Sequence, residues 1–177
     1  MRPADSAETS VAWKMALENK DTPTGLILSR QGIKDVPATG ASRYEDALHA
    51  EKGGYLVKEV ENPDVVLVAN GSEVSTLVAA AEILESEHNL KVNIASVISE
   101  GLFRLQSKAY QESVVPKNKP LFGLTAGLPV NLEGLVGDNG KVFGLEHFGY
   151  SAPATVLDEK FGFTGDQVYQ QVVDFLK

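Results

Sequence analysis

The sequence contains no cysteine, which excludes disulfide bonds and zinc sites built from thiolates. Basic residues are also scarce, because 16 Lys and Arg stand against 24 Asp and Glu and give a formal net charge of −8. Surfaces that bind nucleic acid or an anionic membrane are usually basic, so this balance argues against both partners. No apolar run approaches the roughly 18 residues of a membrane span, and the N-terminus has no hydrophobic signal segment. We therefore expect a soluble, cytoplasmic protein.

The 177 residues are 43% hydrophobic, enough for one domain with a core, or one domain plus a shorter segment. Residues 64–69 form an apolar run without polar alternation, which is typical of a strand covered on both faces. A short polar break follows, in which Ser72 is a good N-cap, and apolar residues at helical spacing then predict a helix ending near His88. A second apolar run covers residues 91–98. Strand, helix and strand together predict a βαβ unit with a right-handed connection.

The remaining segments add layers to this unit. Strands are predicted at 24–30, 55–60, 120–125 and 141–146, and helices at 3–19, 44–49, 99–105, 107–115, 132–136, 152–160 and 164–176. Residues 36–40 have the composition of a linker, with Pro37 and Gly40 near its ends. The pattern predicts an α/β fold in which about five strands follow the linker and one strand precedes it.

Few side chains are placed to carry chemistry. His49 and His88 are predicted on the surface. His147 follows Glu146 just past a predicted strand end, where open α/β sheets usually form their sites, although a structural role is still favoured for it. No nucleophile–base pair, metal cluster or glycine-rich phosphate loop can be assembled from the sequence.

Two further positions could hold an anion. Gly71 and Ser72 join a strand to a helix N-terminus, where backbone N–H groups can bind one, but a plain turn with a capping serine is favoured. Arg30 directly follows an apolar strand and could present its planar guanidinium to a phosphate or a carboxylate. For Arg30 a surface position is slightly favoured over a site, because every strand must end somewhere.

Several short motifs occur in a specific order along the chain. They are Arg2-Pro3-Ala4-Asp5, Ala12-Trp13-Lys14, Gly25-Leu26-Ile27-Leu28-Ser29-Arg30-Gln31, Ala69-Asn70-Gly71-Ser72-Glu73-Val74, Glu112-Ser113-Val114-Val115-Pro116, Phe148-Gly149-Tyr150-Ser151-Ala152-Pro153 and Lys160-Phe161-Gly162-Phe163-Thr164. The ordered series resembles the C-terminal part of transketolase over essentially the whole chain. The chain departs from that pattern at Thr125-Ala126-Gly127, where relatives commonly have an acid, and at residues 129–132, where they usually have a tryptophan.

The resemblance implies a transferase of the pentose phosphate pathway that moves a two-carbon ketol unit between sugar phosphates. The full-length enzyme would use thiamine diphosphate and a divalent cation, Mg or Ca, and would be a homodimer. Residues 1–36 would be a helix–strand remnant of the pyrimidine-binding domain. Residues 37–177 would be the C-terminal domain, a three-layer, Rossmann-like fold with a mostly parallel, mixed five-stranded sheet and helices on both faces.

The same resemblance places most of the active site outside this sequence. No catalytic, cofactor-binding or metal-binding residue can be carried over, and no cofactor is expected in this chain. Only Arg30 matches a family site residue, the arginine that binds the sugar phosphate. Met1 directly before the first motif suggests an artificial or misannotated start, because it would cut a domain in half.

Two hypotheses follow for function. In the first, the chain is a transketolase fragment that is inactive alone and supports assembly, with residues 3–30 joining two copies because residues 26–28 lack sheet partners and residues 41–177 offer them no obvious apolar face. In the alternative, it is a non-catalytic regulatory or anion-binding α/β module with a site at Gly71-Ser72 or near His147.

Overall fold

The computed structural model describes residues 1–177, which form eight α-helices, one 3₁₀ helix and five strands. In chain order they are α1 (Ser6–Glu18), α2 (Arg43–Ala47), the 3₁₀ helix (Leu48–Lys52), β1 (Tyr55–Lys58), β2 (Val65–Ala69), α3 (Glu73–His88), β3 (Val92–Ser96), α4 (Glu100–Arg104), α5 (Lys108–Val114), β4 (Leu121–Leu124), α6 (Val130–Val136), β5 (Lys141–Phe143), α7 (Ala154–Phe161) and α8 (Gly165–Leu176). None of the helices combines the length and the apolarity needed to cross a membrane.

The five strands form one sheet in the order β1-β3-β2-β4-β5. Strand β2 pairs in parallel with β3 on one side and with β4 on the other, and β4 pairs in parallel with β5. Strand β1 pairs antiparallel with β3 at the edge of the sheet. The sheet is therefore mixed and mostly parallel, as the resemblance implied. The chain leaves β2 toward β3 on one side and later returns to β4 on the other side of β2.

Apolar side chains of β2 alternate between two cores. Val65, Leu67 and Ala69 join a core of 24 residues that includes Leu77 of α3 and Val168 of α8. Their neighbours in sequence, Val66 and Val68, point to the opposite face and join a core of 11 residues that includes Phe103 and Leu132. Because both faces of the strand are covered, its sequence shows no polar alternation, and the three-layer prediction is confirmed.

Helix α3 ends where the sequence predicts but begins differently. Asn89 closes it in the left-handed region, with φ of 53°, as Asn tolerates. Ser72 occupies the N-cap position, yet its backbone is already helical and its hydroxyl caps no backbone N–H. The hydroxyl instead donates to Glu73 Oε1 at 2.6 Å, so the prediction of a capping serine is wrong.

Helix α1 packs against the rest of the chain. Asp5 caps it by accepting a hydrogen bond from the Glu8 N–H at 2.9 Å. Ala7, Val11 and Ala12 are buried in the same 24-residue core as α3 and α8. The expectation that residues 41–177 offer no obvious apolar face for this segment is therefore wrong, since small side chains on α1 allow a close approach.

Residues 24–30 are extended but do not form the predicted strand. Their only backbone pairing is with Met1, whose carbonyl accepts from the Ile27 N–H at 2.9 Å and whose amino group donates to the Gly25 carbonyl at 2.7 Å. Leu26 packs against the core, while Ile27 and Leu28 remain more than half exposed. The strand prediction is wrong because Met1 alone pairs with this segment, and no neighbouring strand lies beside it.

Candidate functional site: the Arg30 cleft

Arg30 lies exposed at the end of this extended segment and borders an open cleft of about 690 Å³, here called the Arg30 cleft. Gln31 lies beside it, and the opposite wall consists of residues 149–154 and Leu157. Arg30 is the only charged residue among the nine that line the cleft, and it forms no ion pair. The positive charge of Arg30 favours an anion over a cation in this cleft, although the chain as a whole has a net charge of −8.

Most of the opposite wall lies in the residues that precede α7, whereas Ala154 and Leu157 belong to α7 itself. Residues 147–153 are here called the cleft loop. Tyr150 stacks on Phe161 of α7 with ring centroids 5.6 Å apart, and His147 lies 5.2 Å from the same ring. The Lys160 ammonium lies 5.1 Å from the Tyr150 ring centroid. His147 therefore contributes to the packing of this loop, in line with the structural role favoured for it.

The turn at Gly71 and Ser72 is filled by groups of the protein itself. The Gly71 N–H donates to the Arg2 carbonyl at 3.0 Å, and the Arg2 guanidinium lies directly over Gly71. Arg2 Nη1 also donates to Asn70 Oδ1 at 2.6 Å and pairs with Glu73 Oε2 at 2.9 Å, although this last contact is not aligned as a hydrogen bond. The turn is thus occupied by the ion pair between Arg2 and Glu73. The Glu73 carboxylate lies where a bound anion would have to enter.

The other two histidines are exposed, as predicted. The His49 ring lies 6.2 Å from that of Tyr55, and the His88 ring lies 5.9 Å from that of Tyr169. Nowhere in the structure are three or more His, Cys, Asp or Glu side chains arranged to hold a metal ion.

A buried polar network joins α1 to the sheet, and the sequence analysis did not identify its members. Arg43 Nε donates to Asp5 Oδ2 at 2.6 Å, and Arg43 Nη2 donates to Glu8 Oε1 at 3.2 Å. The Tyr55 hydroxyl donates to the same Glu8 oxygen at 2.8 Å. The Ala4 N–H donates to Glu8 Oε2 at 2.7 Å, so both oxygens of this fully buried carboxyl group are bonded.

Burial shifts the pKa values of two groups in this network. Burial raises the pKa of Glu8, whereas the hydrogen bonds from the Ala4 N–H and the Tyr55 hydroxyl lower it by a smaller amount. Burial also raises the pKa of Tyr55, and the negative charge of Glu8 adds to that effect. Spacing of three residues between Asp5 and Glu8 indicates a helix start, but nothing local in the sequence identifies Arg43 and Tyr55 as their partners.

The fold and the cleft together define an open α/β domain with one exposed arginine at the edge of a cleft. Residues 53–164 match the family described as the transketolase-like TK C-terminal domain, and the chain belongs to that family. Transketolase 2 of Vibrio parahaemolyticus and transketolase 1 of Escherichia coli K12 are each 40% identical over 177 residues, which cover 99% of this chain and 26% of each relative. The chain thus spans about a quarter of the length of the curated relatives it matches.

Solved structures agree with the sequence matches. The transketolase of Leishmania mexicana superposes with a TM-score of 0.87 at 36% identity, covering 99% of this chain and 25% of that one. A complex of the Pichia stipitis transketolase with sedoheptulose 7-phosphate superposes with a TM-score of 0.88 at 32% identity, covering 99% and 24%.

Proposed function

We propose that this chain is the C-terminal part of a transketolase, which transfers a two-carbon ketol unit between sugar phosphates. Residues 1–36 are then the remnant of the pyrimidine-binding domain, and residues 37–177 are the C-terminal domain. The alignment with transketolases over 99% of the chain supports this proposal. The contribution of the chain is to support assembly and to supply one substrate contact.

The observation that carries the substrate contact is the Arg30 cleft. A guanidinium that is free of ion pairs and is the only charge in an open cleft suits a phosphate group, to which it can donate two parallel hydrogen bonds. We therefore assign Arg30 to the phosphate of the sugar substrate, as the resemblance implies.

Thiamine diphosphate and its divalent cation do not fit the residues of this chain. The structure has no group of three carboxylates or imidazoles for a metal ion, and the turn at Gly71 is filled by Arg2. When bound, the cofactor supplies the carbanion chemistry of ketol transfer, so its ligands would have to come from other residues of the longer enzyme. We expect the 177-residue chain alone to be inactive.

The test compares the chain alone with a longer transketolase that contains it. Arg30→Ala in the longer enzyme should cost about 1.5–3 kcal/mol in kcat/KM for phosphorylated substrates, since a charge-assisted hydrogen bond is lost. Unphosphorylated substrates should be affected far less, and Arg104→Ala, at an exposed ion pair, serves as the control. Turnover by the purified 177-residue chain would contradict the inactivity, and unchanged kinetics of Arg30→Ala would remove Arg30 from the site.

The alternative anion-binding module gains no support from the structure. Gly71 and Ser72 are engaged by Arg2 and Glu73, and His147 packs among aromatic rings. No specific observation favours that function over the first.

A further inference from the structure

We propose, independently of the function assigned above, that Asn139 is a modification site at which the chain converts its own asparagine to aspartate and isoaspartate. The sequence contains two Asn-Gly pairs, Asn70-Gly71 and Asn139-Gly140. An asparagine that precedes glycine is prone to this reaction, because glycine has no Cβ to shield its backbone nitrogen. Since both pairs share this chemistry, the structure around each pair decides which of them reacts.

The reaction needs water and no other partner. The backbone nitrogen of Gly140 gives its proton to hydroxide and attacks Cγ of Asn139. A C–N bond forms, the Cγ–Nδ2 bond breaks, and ammonia leaves with a proton taken from water. Water then opens the resulting succinimide ring at either carbonyl, which gives aspartate or isoaspartate without any oxidation or reduction. Such an attack within one chain is fast where the two reacting atoms can approach closely.

Asn139 is free to react because little holds it or the following nitrogen. It lies exposed in the turn from Gly137 to Gly140, between α6 and β5, and its side chain makes no hydrogen bond. The Gly140 N–H donates only to the Gly137 carbonyl, at 3.2 Å, in the bond that closes the turn. Local opening of an exposed turn costs little free energy, and loss of this one bond frees the nitrogen.

Asn70 has the same neighbour but is held on both sides of the reacting bond. Its Oδ1 accepts a hydrogen bond from Arg2 Nη1 at 2.6 Å, which fixes the side chain. The Gly71 N–H donates to the Arg2 carbonyl at 3.0 Å, and Gly71 is buried with a φ of 64°. Reaction at Asn70 therefore requires this part of the structure to open first.

The packing around Gly140 preserves the reactive pair and makes one of its products costly. A Cβ at residue 140 would overlap the Val136 side chain and lie 2.7 Å from the Leu121 carbonyl oxygen, so the fold requires glycine after Asn139. Isoaspartate adds one main-chain methylene beside this tightly packed residue, directly before β5, which pairs with β4 alone. Aspartate leaves the main chain unchanged and should be tolerated at this exposed position.

The experiment follows the 177-residue chain over time at neutral pH, folded and in urea, by peptide mapping with mass spectrometry. Conversion of the amide to a carboxyl group raises the mass of the peptide, and electron-transfer fragmentation distinguishes isoaspartate from aspartate. Asn70 is the internal control with the same chemistry. Asn131, which is exposed but precedes Leu132, is the control for exposure alone. Asn139→Gln should block the reaction, because its longer side chain would have to form a less favourable six-membered ring.

In the folded chain we expect Asn139 to convert roughly 10-fold faster than Asn70 or more, and to give both products, while Asn131 stays unchanged. In urea the two Asn-Gly pairs should convert at similar rates, because Asn70 has lost its contacts with Arg2. Equal rates in the folded chain, or aspartate without isoaspartate at Asn139, would overturn the inference. The isoaspartate form should also melt at a lower temperature than Asn139→Asp, and equal melting temperatures would refute the cost inferred at β5.

Discussion

Arg43 holds two buried acidic side chains of α1 against the sheet. Its guanidinium bonds to Asp5 and Glu8, whose side chains are both inaccessible to solvent. A buried carboxylate without a partner costs far more than an exposed one, because it has lost its hydration. The attachment of α1 therefore depends on this single cation as well as on apolar packing.

Arg43→Met should lower the free energy of unfolding by about 3–5 kcal/mol, since it leaves buried negative charge uncompensated. Arg104→Met is the matched control, because its ion pair with Glu100 is exposed and contributes about 0.5 kcal/mol or less. Urea denaturation of both variants gives the two values. Equal and small losses would show that the network does not stabilise the fold.

Glu8 should make stability depend on pH in a defined direction. Its pKa is raised by burial above the ordinary value of 4.5, so the folded state holds the proton more tightly than the unfolded state. The stabilisation is complete below pH 4.5 and is lost as the pH rises through the folded pKa. Glu8→Gln removes this dependence, so the variant should gain stability relative to the wild type as the pH rises.

The measurement is urea denaturation of wild type and Glu8→Gln across a pH series. Glu61→Gln, at an exposed acid, should run parallel to the wild type. A constant difference between wild type and Glu8→Gln at every pH would refute the titration of Glu8 in this range. Arg43, Tyr55 and Asp5 remain in both proteins, so the comparison isolates the one carboxyl group.

Local spacing leaves either Asp5 or Ser6 as the cap of α1, and the structure selects Asp5, whose side chain accepts from the backbone N–H three residues further on. The same reasoning failed at Ser72, where Glu73 provides a nearer partner for the hydroxyl. Arg43 and Tyr55 lie 35 and 47 residues from Glu8, so no local pattern could reveal them. Arg30 was noticed from its strand-end position, but its cleft wall comes from residues more than 100 positions away.

Helix α8 closes the domain by packing on α3. Val168 and Val172 are fully buried, one turn apart on the same face of α8. Gly165 begins the helix so close to α3 that a Cβ there would lie 2.8 Å from that of Ala79. The last helix is therefore a structural part of the larger core.

Val172→Ala should lower the free energy of unfolding by about 2–3 kcal/mol, from lost apolar burial plus the cavity that remains. Gln170→Ala, on the exposed side of the same helix, should change it by less than about 0.5 kcal/mol. Thermal or urea unfolding distinguishes the two. A similar loss in both would mean that the helix, not the buried valine, was perturbed.

The central elements were predictable because their periodicity is intrinsic to the segment. A fully apolar β2 and the 3.6-residue pattern of α3 carry their own signals. Residues 24–30 carry the same kind of signal, yet a strand needs a neighbour and the chain supplies only Met1. The antiparallel direction of β1 likewise depends on how the chain enters the sheet, which its own four residues do not encode.

The molecule leaves large apolar side chains of its first 36 residues in solvent. Trp13 and Leu17, four residues apart on one face of α1, are 53% and 75% exposed, and Ile27 is 62% exposed. The buried side of α1 is small and is already covered by the domain. We propose that a second copy of this chain covers the exposed side, as C2 pairing is the commonest form of oligomer.

Light scattering should then find a dimer, and Leu17→Asp/Ile27→Asp should convert it to a monomer. This substitution is a more specific test than deletion of residues 1–38, because the deletion would also remove buried core residues such as Val11. Leu105→Asp is the control, since Leu105 is 80% exposed in a different part of the chain. A monomeric wild type, or a dimer that persists in the double variant, would refute the proposal.

Trp13 is the only tryptophan in the sequence and lies on this exposed face. Indole emission moves to shorter wavelength when the ring leaves water, so the intrinsic fluorescence of the chain reports on the environment of that face alone. Any protein surface that covers α1 can therefore be detected in dilution or mixing experiments without a label.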